Sequence, residues 1–174
     1  MTPASGNGTP RDPVAGAAAL RIRGYAARDA GPLARLFTAS VRTLAPACYD
    51  ARQVDVWAPV EPDVGRWRER LAGLRVLVAE EDAAPVGFLG FAPDGHLDLL
   101  FVAPERARRG VARALLRAAE ARLRRLGVRR AFTEASLVAR PFFAAQGYAV
   151  TATETVRREG IGLVRFRMER ALDG

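Results

Sequence analysis

One segment near the middle of this 174-residue chain limits the choice of folds more than any other. Residues His96–Val102 have the composition of an apolar strand that Pro104 ends, and Arg109–Leu126 places apolar residues on one helical stripe until Gly127. Val128–Glu134 again has strand composition. A strand, a long helix and a second strand in this order predict one β–α–β unit in the middle of the fold.

Hairpins flank this unit. Periodicity and turn residues predict further strands at Leu20–Tyr25, Leu74–Glu80, Val86–Ala92, Tyr148–Arg157 and Ile161–Arg170, and helices at Ala30–Leu44, Ala51–Trp57, Pro62–Gly73 and Val138–Gln146. We therefore expect a mixed α/β (α+β) fold with a mostly antiparallel central sheet of six to seven strands and four to five helices. Residues 1–19 contain no aromatic residue, Leu or Ile, which predicts a flexible leader before a domain over residues 20–174.

Composition argues against several classes of protein. The chain has one cysteine, Cys48, and one histidine, His96, which excludes an internal disulfide and a Cys- or His-rich metal site, so no metal is expected. There is no apolar run of about 18 residues, so no membrane span is expected. The leader lacks the features of a signal peptide, and we expect a cytoplasmic protein.

The net positive charge comes from one segment of the chain. All 27 basic residues are arginine, and residues 105–130 hold 10 of them with two glutamates, whereas the rest of the chain is neutral. A local patch fits a small phosphate-bearing cofactor better than a nucleic acid, which usually contacts a longer basic stripe. An Arg-rich nucleic-acid-binding module stays as an alternative, although we expect no nucleic-acid partner.

The loop before the long helix has the properties of an anion site. Gly110 and Ala112 are small enough for an anion to approach the backbone, and the first-turn N–H groups of a helix have no internal acceptor. The side chains of Arg108, Arg109 and Arg113 can add charge-assisted hydrogen bonds. No P-loop or G-x-G-x-x-G motif occurs. From these residues alone, an ordinary strand–loop–helix with a solvated arginine face is favoured over an anion site.

Two motifs resemble those of one enzyme family. The segment VAPERARRGVA, residues 102–112, resembles motif A of the GNAT superfamily, the GCN5-related N-acetyltransferases, and ARPFFAAQGYAV, Ala139–Val150, resembles its motif B. The similarity covers roughly Leu20–Arg170. Ser40–Pro59 is also similar to a branch of small bacterial members. The resemblance implies a GNAT-like fold and an acyltransferase.

The resemblance also implies acetyl-CoA as cofactor and suggests which residues hold it. In the family pattern, the backbone of a strand pairs with the pantetheine arm and the loop before the helix holds the pyrophosphate. The matching positions here are Leu100, Phe101 and Val102 for the arm, and Arg108, Arg109, Gly110, Val111, Ala112 and Arg113 for the pyrophosphate.

Three positions depart from the family pattern. Ala107 stands where motif A begins with Arg or Gln, so Arg106 or Arg108 would have to replace that contact. Ser136 stands where an Asn is frequent, and Phe143 stands where a Tyr often protonates the departing thiolate. A phenyl ring cannot donate a proton. We count Ser136 and Phe143 among the cofactor-binding positions.

Three residues are candidates for the base that acetyl transfer to an amine requires. His96 and Asp98 are two residues apart on one strand, so their side chains share a face, and Glu134 ends the neighbouring strand of the β–α–β unit. Each also has a structural interpretation: His96 as a surface residue beside a turn, Asp98 as an arginine partner and Glu134 as a structural carboxylate.

The region before the first hairpin is where the family varies its substrate contacts. Ser40 lies there, and Tyr49, Gln53 and Trp57 are spaced four apart on one helical face, where they could cover an amine or simply pack the helix on the sheet. We expect an N-acetyltransferase acting on a primary amine of a small molecule or protein. A catalytically weak acyl-CoA-binding regulator is the alternative, and the resemblance allows a homodimer.

Overall fold

The computed structural model describes residues 19–172, so the predicted leader lies outside the described residues except for its last position. Within that range the helices are α1 Ala30–Leu44, α2 Ala51–Trp57, α3 Val64–Ala72, α4 Val111–Arg125 and α5 Arg140–Ala145. The strands are β1 Arg21–Gly24, β2 Arg75–Glu81, β3 Ala84–Phe91, β4 Leu97–Val102, β5 Arg130–Ser136, β6 Ala149–Arg158 and β7 Ile161–Ala171. The predicted mixed α/β class with seven strands and five helices is confirmed.

The strands form two sheets that meet at one point. β1, β2, β3 and β4 make an antiparallel sheet in that order, and β5, β7 and β6 make a second one. A single parallel bridge between His96 and Phe132 joins them, supported by a 2.8 Å hydrogen bond from Thr133 Oγ1 to the Leu97 carbonyl. Beyond this bridge β4 and β5 form no ladder, so one edge of β4 has no strand partner within residues 19–172.

The core lies on both faces of the first sheet. Successive side chains of a strand point to opposite faces, and accordingly Phe88 packs with α1 and α3 while Leu89 packs with α4. On β3, Gly87 permits close packing of α4, because a Cβ there would lie 2.9 Å from a methyl group of Val111. The two helical layers therefore fix the position of the loop that precedes α4.

Helix α4 begins two residues later than the sequence predicts. Gly110 is its N-cap and adopts a left-handed conformation with φ of 86°, so the helix cannot include it. The predicted start at Arg109 is therefore wrong by one half-turn. None of the helices within residues 19–172 is long and apolar enough to cross a membrane.

Candidate active site

A large cavity opens beside the unpaired edge of β4. This first cavity has a volume of about 520 Å³ and is enclosed by α1, β4, the loop before α4, and α5. Of the predicted site residues, it is lined by Ser40, Trp57, Leu100, Phe101, Val102, Arg108, Gly110, Ala112, Arg113 and Ser136. These predicted site residues therefore line one cavity in the structure.

The loop before α4 curls its backbone toward the first cavity. Pro104–Arg106 forms a 3₁₀ turn, after which Arg108 and Gly110 both have positive φ, at 62° and 86°. A positive φ is costly for arginine, and such strain concentrates at functional positions. The N–H groups of Val111, Ala112 and Arg113 follow at the first turn of α4, where helix geometry provides no internal acceptor. Val111 itself is only 2% exposed and packs in the core, and it does not line the first cavity.

The strand at the cavity wall offers its backbone. Leu100, Phe101 and Val102 pair with Leu89, Phe88 and Gly87 of β3 on one side. On the other side, no strand of the described chain completes their hydrogen bonds. This edge can accept an extended ligand by β-augmentation.

The two arginines that could replace the missing motif residue have different surroundings. Arg106 donates from Nε to Glu81 Oε2 at 2.6 Å, and this hydrogen bond with Glu81 raises the pKa of Arg106. Arg108 forms no salt bridge with any residue in the described range. Arg108 is therefore the side chain available to a ligand in the first cavity.

A second cavity lies on the other side of the gap between β4 and β5. It has a volume of about 180 Å³ and is lined by aromatic residues and by five charged ones, namely Arg70, Asp98, Glu134, Arg158 and Arg165. The first and second cavities meet along five residues that line both: Trp57, Leu100, Phe101, Ser136 and Ala139. The two cavities therefore adjoin along the gap between the strands.

The three predicted catalytic residues lie near one another at the second cavity. His96 Nε2 is 2.6 Å from Glu134 Oε2, and the imidazole stacks on Phe132 with ring centroids 5.0 Å apart. An ionised carboxylate only accepts hydrogen bonds, so Nε2 is the donor. Glu134 and Asp98 line the cavity, whereas His96 stands behind Glu134. Asp98 is held by Arg70 at 3.1 Å.

Two of the predicted substrate residues are held by hydrogen bonds within the protein. The hydroxyl of Tyr49 donates to the Val164 carbonyl at 3.1 Å and accepts from the N–H of Leu137 at 2.9 Å, and burial raises its pKa. Gln53 completes the N-terminal cap of α2 and donates to the Gly162 carbonyl at 2.9 Å. Tyr49 still borders the second cavity, but Gln53 lines neither cavity within the described chain.

The two departures near motif B have distinct positions. Ser136 lines both cavities, and its Oγ accepts a 3.1 Å hydrogen bond from the N–H of Ala139. Phe143 is 2% exposed, packs 5.2 Å from the ring of Tyr148 and borders only the second cavity. Its neighbour Phe142 lines the first cavity instead.

A third cavity continues from the first and was not anticipated. Its volume is about 460 Å³, and it shares Arg113 and Gln146 with the first cavity. Arg117 and Arg170 also line it, one turn along α4 from Arg113 and on β7 respectively. The spacing of Arg113 and Arg117 was a usable signal, because residues four apart share a helical face. The contribution of β7 is not visible in the sequence.

Comparison with known proteins identifies the family. The acetyltransferase (GNAT) domain profile matches residues 47–170. The chain is 36% identical over 149 residues to the uncharacterized N-acetyltransferase YafP of Escherichia coli (strain K12), covering 86% of this chain and 94% of that protein. This chain therefore belongs to the GNAT family of acetyltransferases.

Solved structures agree with this assignment. A GCN5-related N-acetyltransferase from Rhodopseudomonas palustris superposes with a TM-score of 0.83 at 31% identity, covering 92% of this chain and 99% of that one. The PaiA N-acetyltransferase of Thermoplasma acidophilum, solved with coenzyme A, has a TM-score of 0.73 at 18% identity and covers 88% and 99% of the two chains, which supports the fold.

The chain is thus an acetyl-CoA-dependent N-acetyltransferase acting on an amine, and its first cavity fits that cofactor. A Cβ added to Gly110 would meet no atom within 4 Å, so the backbone there faces open space. Around that space the structure provides first-turn N–H groups, Arg108 and Arg113, which suit a diphosphate, and an open strand edge, which suits an amide-containing chain.

Proposed function

We propose that the first cavity holds acetyl-CoA, that the second cavity holds the acceptor amine, and that acetyl transfer takes place where they meet. The observation that carries this proposal is the set of five residues shared by the two cavities at the gap between β4 and β5. Holding both reactants where the two cavities adjoin converts a bimolecular reaction into an effectively unimolecular one.

We assign the cofactor contacts residue by residue. The backbone of Leu100, Phe101 and Val102 pairs with the pantetheine arm, and the N–H groups of residues 108–113 hold the pyrophosphate with help from the Arg108 and Arg113 side chains. The 3′-phosphorylated nucleoside extends toward the arginines of the third cavity. Arg109 lines none of these cavities and contributes through its backbone.

Bound acetyl-CoA supplies an activated acetyl group whose thiolate is a good leaving group. The Glu134 carboxylate removes a proton from the acceptor ammonium, because it lines the second cavity and its Oε2 is oriented by His96 at 2.6 Å. His96 is then a positioning residue, because its Nε2–H holds Oε2 of the carboxylate in place. A backbone N–H of β4 near Val102 stabilises the developing oxyanion.

The remaining predicted catalytic residues have secondary roles in this proposal. Asp98 stays paired with Arg70 and contributes negative charge near the amine. Phe143 cannot donate a proton, so the thiolate departs without acid assistance from that position. Trp57 lines both cavities where they adjoin, whereas Ser40 lines only the first cavity.

The acceptor is a primary amine, and the second cavity favours one on a small molecule over one on a folded protein. Its volume of about 180 Å³ lies below the roughly 300–1,000 Å³ of pockets for drug-sized ligands. We further propose action in the cytoplasm, which the single cysteine supports. A homodimer stays a prediction that sedimentation can test.

Replacing Glu134 with Gln tests this proposal. With the best acceptor from a panel of primary amines, followed by thiol release, kcat should fall by roughly 10²-fold or more because the base is lost. The KM for acetyl-CoA should stay unchanged. The control is Glu169→Gln, since Glu169 pairs with Arg130 away from both cavities. An unchanged kcat in Glu134→Gln would refute the assignment.

A further inference from the structure

We propose that the second cavity selects amines that also carry a carboxylate, and that Arg158 binds this carboxylate. The proposal rests on the proposed function, because it takes the second cavity as the acceptor site. It goes further in naming the acceptor class as amino acid-like molecules and in assigning the residue that distinguishes them from simple amines.

Three arginines reach the second cavity from three different elements. Arg70 comes from α3, Arg158 from β6 and Arg165 from β7. Two of them are neutralised by the protein itself, since Arg70 is 3.1 Å from Asp98 and Arg165 is 2.8 Å from Glu154. Arg158 forms no salt bridge or side-chain hydrogen bond with any described residue. It is therefore the guanidinium at this cavity without a carboxylate partner.

Arg158 keeps a positive charge beside two others. It is exposed and lines the second cavity, where desolvation by the neighbouring protein is the main cause that lowers its pKa and the positive charges of Arg70 and Arg165 lower it further. A guanidinium does not lose its proton in proteins, so its charge stays available to an anion. A carboxylate matches the planar donor fork and would offset it with two parallel hydrogen bonds.

The same cavity carries opposite charge for the other end of such a molecule. Glu134 lines it from β5 and suits an ammonium group, since Asp98 on β4 is already paired with Arg70, whereas Arg158 lies at the end of β6. A cavity with a carboxylate on one side and an unneutralised guanidinium on another complements a zwitterion. Its small volume of about 180 Å³ also fits a molecule in which the two charged groups are close together.

The strand that carries Arg158 provides a matched control. Side chains alternate along a strand, so Arg157 points away from the face that Arg158 and Val156 share. Arg157 lines none of the cavities and donates to the Gly160 carbonyl at 3.1 Å. Arg157→Gln therefore removes an adjacent arginine of the same strand without changing the second cavity.

The experiment compares the common L-amino acids with the corresponding amino acid amides, which differ only in the carboxylate. Thiol release should give a kcat/KM at least about 10-fold higher for the best acid than for its amide, as a hydrogen bond to a charged group contributes roughly 1.5–3 kcal/mol. Arg158→Gln should remove this preference mainly by raising the KM of the acid, and Arg157→Gln should keep it.

Binding measured without turnover keeps the test independent of the chemistry. Calorimetric titration of the same acids and amides into the protein saturated with coenzyme A should detect binding of the acids to wild type. The same titration should detect no binding of the acids to Arg158→Gln. Equal turnover or equal binding of acids and amides, or an acid preference that survives in Arg158→Gln, overturns the proposal.

The outcomes also distinguish this proposal from the proposed function. If neutral amines are acetylated in a reaction that depends on Glu134 but acids are not preferred, the proposed function stands and carboxylate selection is refuted. If no amine releases thiol, the proposed function falls, and the calorimetric comparison alone decides on Arg158.

Discussion

At the scale of single residues, the loop before α4 assigns different tasks to neighbouring arginines. Arg106 is bonded to Glu81 on β2 and so fastens the loop to the sheet. Arg108 has the positive φ that aims its backbone at the first cavity, which its side chain also lines. Two side chains that the sequence could not distinguish thus differ in their partners.

We expect glutamine substitutions to separate these tasks. Arg108→Gln should weaken coenzyme A binding by about 10-fold or more, because it removes a charge-assisted contact worth roughly 1.5–3 kcal/mol. Arg106→Gln should leave coenzyme A affinity nearly unchanged and lower the free energy of unfolding only slightly, because it removes the ion pair with Glu81. Calorimetric titration and urea denaturation measure the two effects. The reverse pattern would show that Arg106 is the cofactor ligand.

The residue scale also explains which site residues the sequence could reveal. Residues 100–102 and Arg108, Gly110, Ala112 and Arg113 are close in sequence, so a local motif was enough to group them at one cavity. Gln53 instead forms a hydrogen bond with the carbonyl of Gly162, 109 residues away, and Tyr49 forms one with the carbonyl of Val164. Arg158 carries no local signal, because only the folding of β6 and β7 against β5 brings it to the second cavity. Contacts between distant segments are what a single sequence leaves open.

At the scale of elements, a buried ion pair holds the start of α1. The Asp29 carboxylate is 2.7 Å from Arg23 on β1 and accepts a 2.8 Å hydrogen bond from the N–H of Ala26. Arg23 also binds Glu80 on β2 at 2.6 Å. The hydrogen bond from Arg23 is the main cause that lowers the pKa of Asp29 below its ordinary value of 3.8. This network orients α1, whose later residues form the wall of the first cavity.

Because the folded-state pKa of Asp29 is lowered, its stabilisation is complete above pH 3.8 and is lost as pH falls through the folded-state pKa. Asp29→Asn should lower the free energy of unfolding at neutral pH by about 2–3 kcal/mol, less than the roughly 3–5 kcal/mol typical of a broken buried pair, since Arg23 keeps Glu80.

Urea denaturation at neutral pH and at a series of lower values measures this effect, and the difference from wild type should shrink toward acid. Asp55→Asn is the control, because Asp55 pairs with Arg42 with its side chain 64% exposed and should contribute less than about 1 kcal/mol. A difference for Asp29→Asn that grows on acidification would contradict the account.

The elements themselves were largely predictable, whereas their pairing was not. Alternation and turn residues located all seven strands, since each pattern is local. β4 and β5 pair only at the bridge between His96 and Phe132 and then separate, and no local sequence pattern predicts where they separate. The pairing depends on the relative position of two strands that α4 separates in the chain. The two cavities adjoin at that break, so the feature of the sheet on which the proposed function depends was the one that the sequence could not predict.

At the scale of the whole molecule, the charge distribution matches the arrangement of cavities. The basic segment 105–130 folds into the loop before α4 and into α4 itself, and its arginines line both the first and the third cavity. The second cavity instead combines two carboxylates, Asp98 and Glu134, with three arginines from outside that segment. The molecule therefore presents a positive region for a phosphate-bearing donor and a mixed region for the acceptor.

The most direct test of the account is calorimetric titration of coenzyme A into the wild-type protein, Gly110→Asp and Gly127→Asp. Both glycines have positive φ and open space around a built Cβ, but they lie at opposite ends of α4. The account predicts that wild type and Gly127→Asp bind, while Gly110→Asp loses at least about 10-fold in affinity, because a carboxylate there repels the pyrophosphate. Wild-type protein that gives no heat, or Gly110→Asp that binds as tightly as wild type, would contradict it.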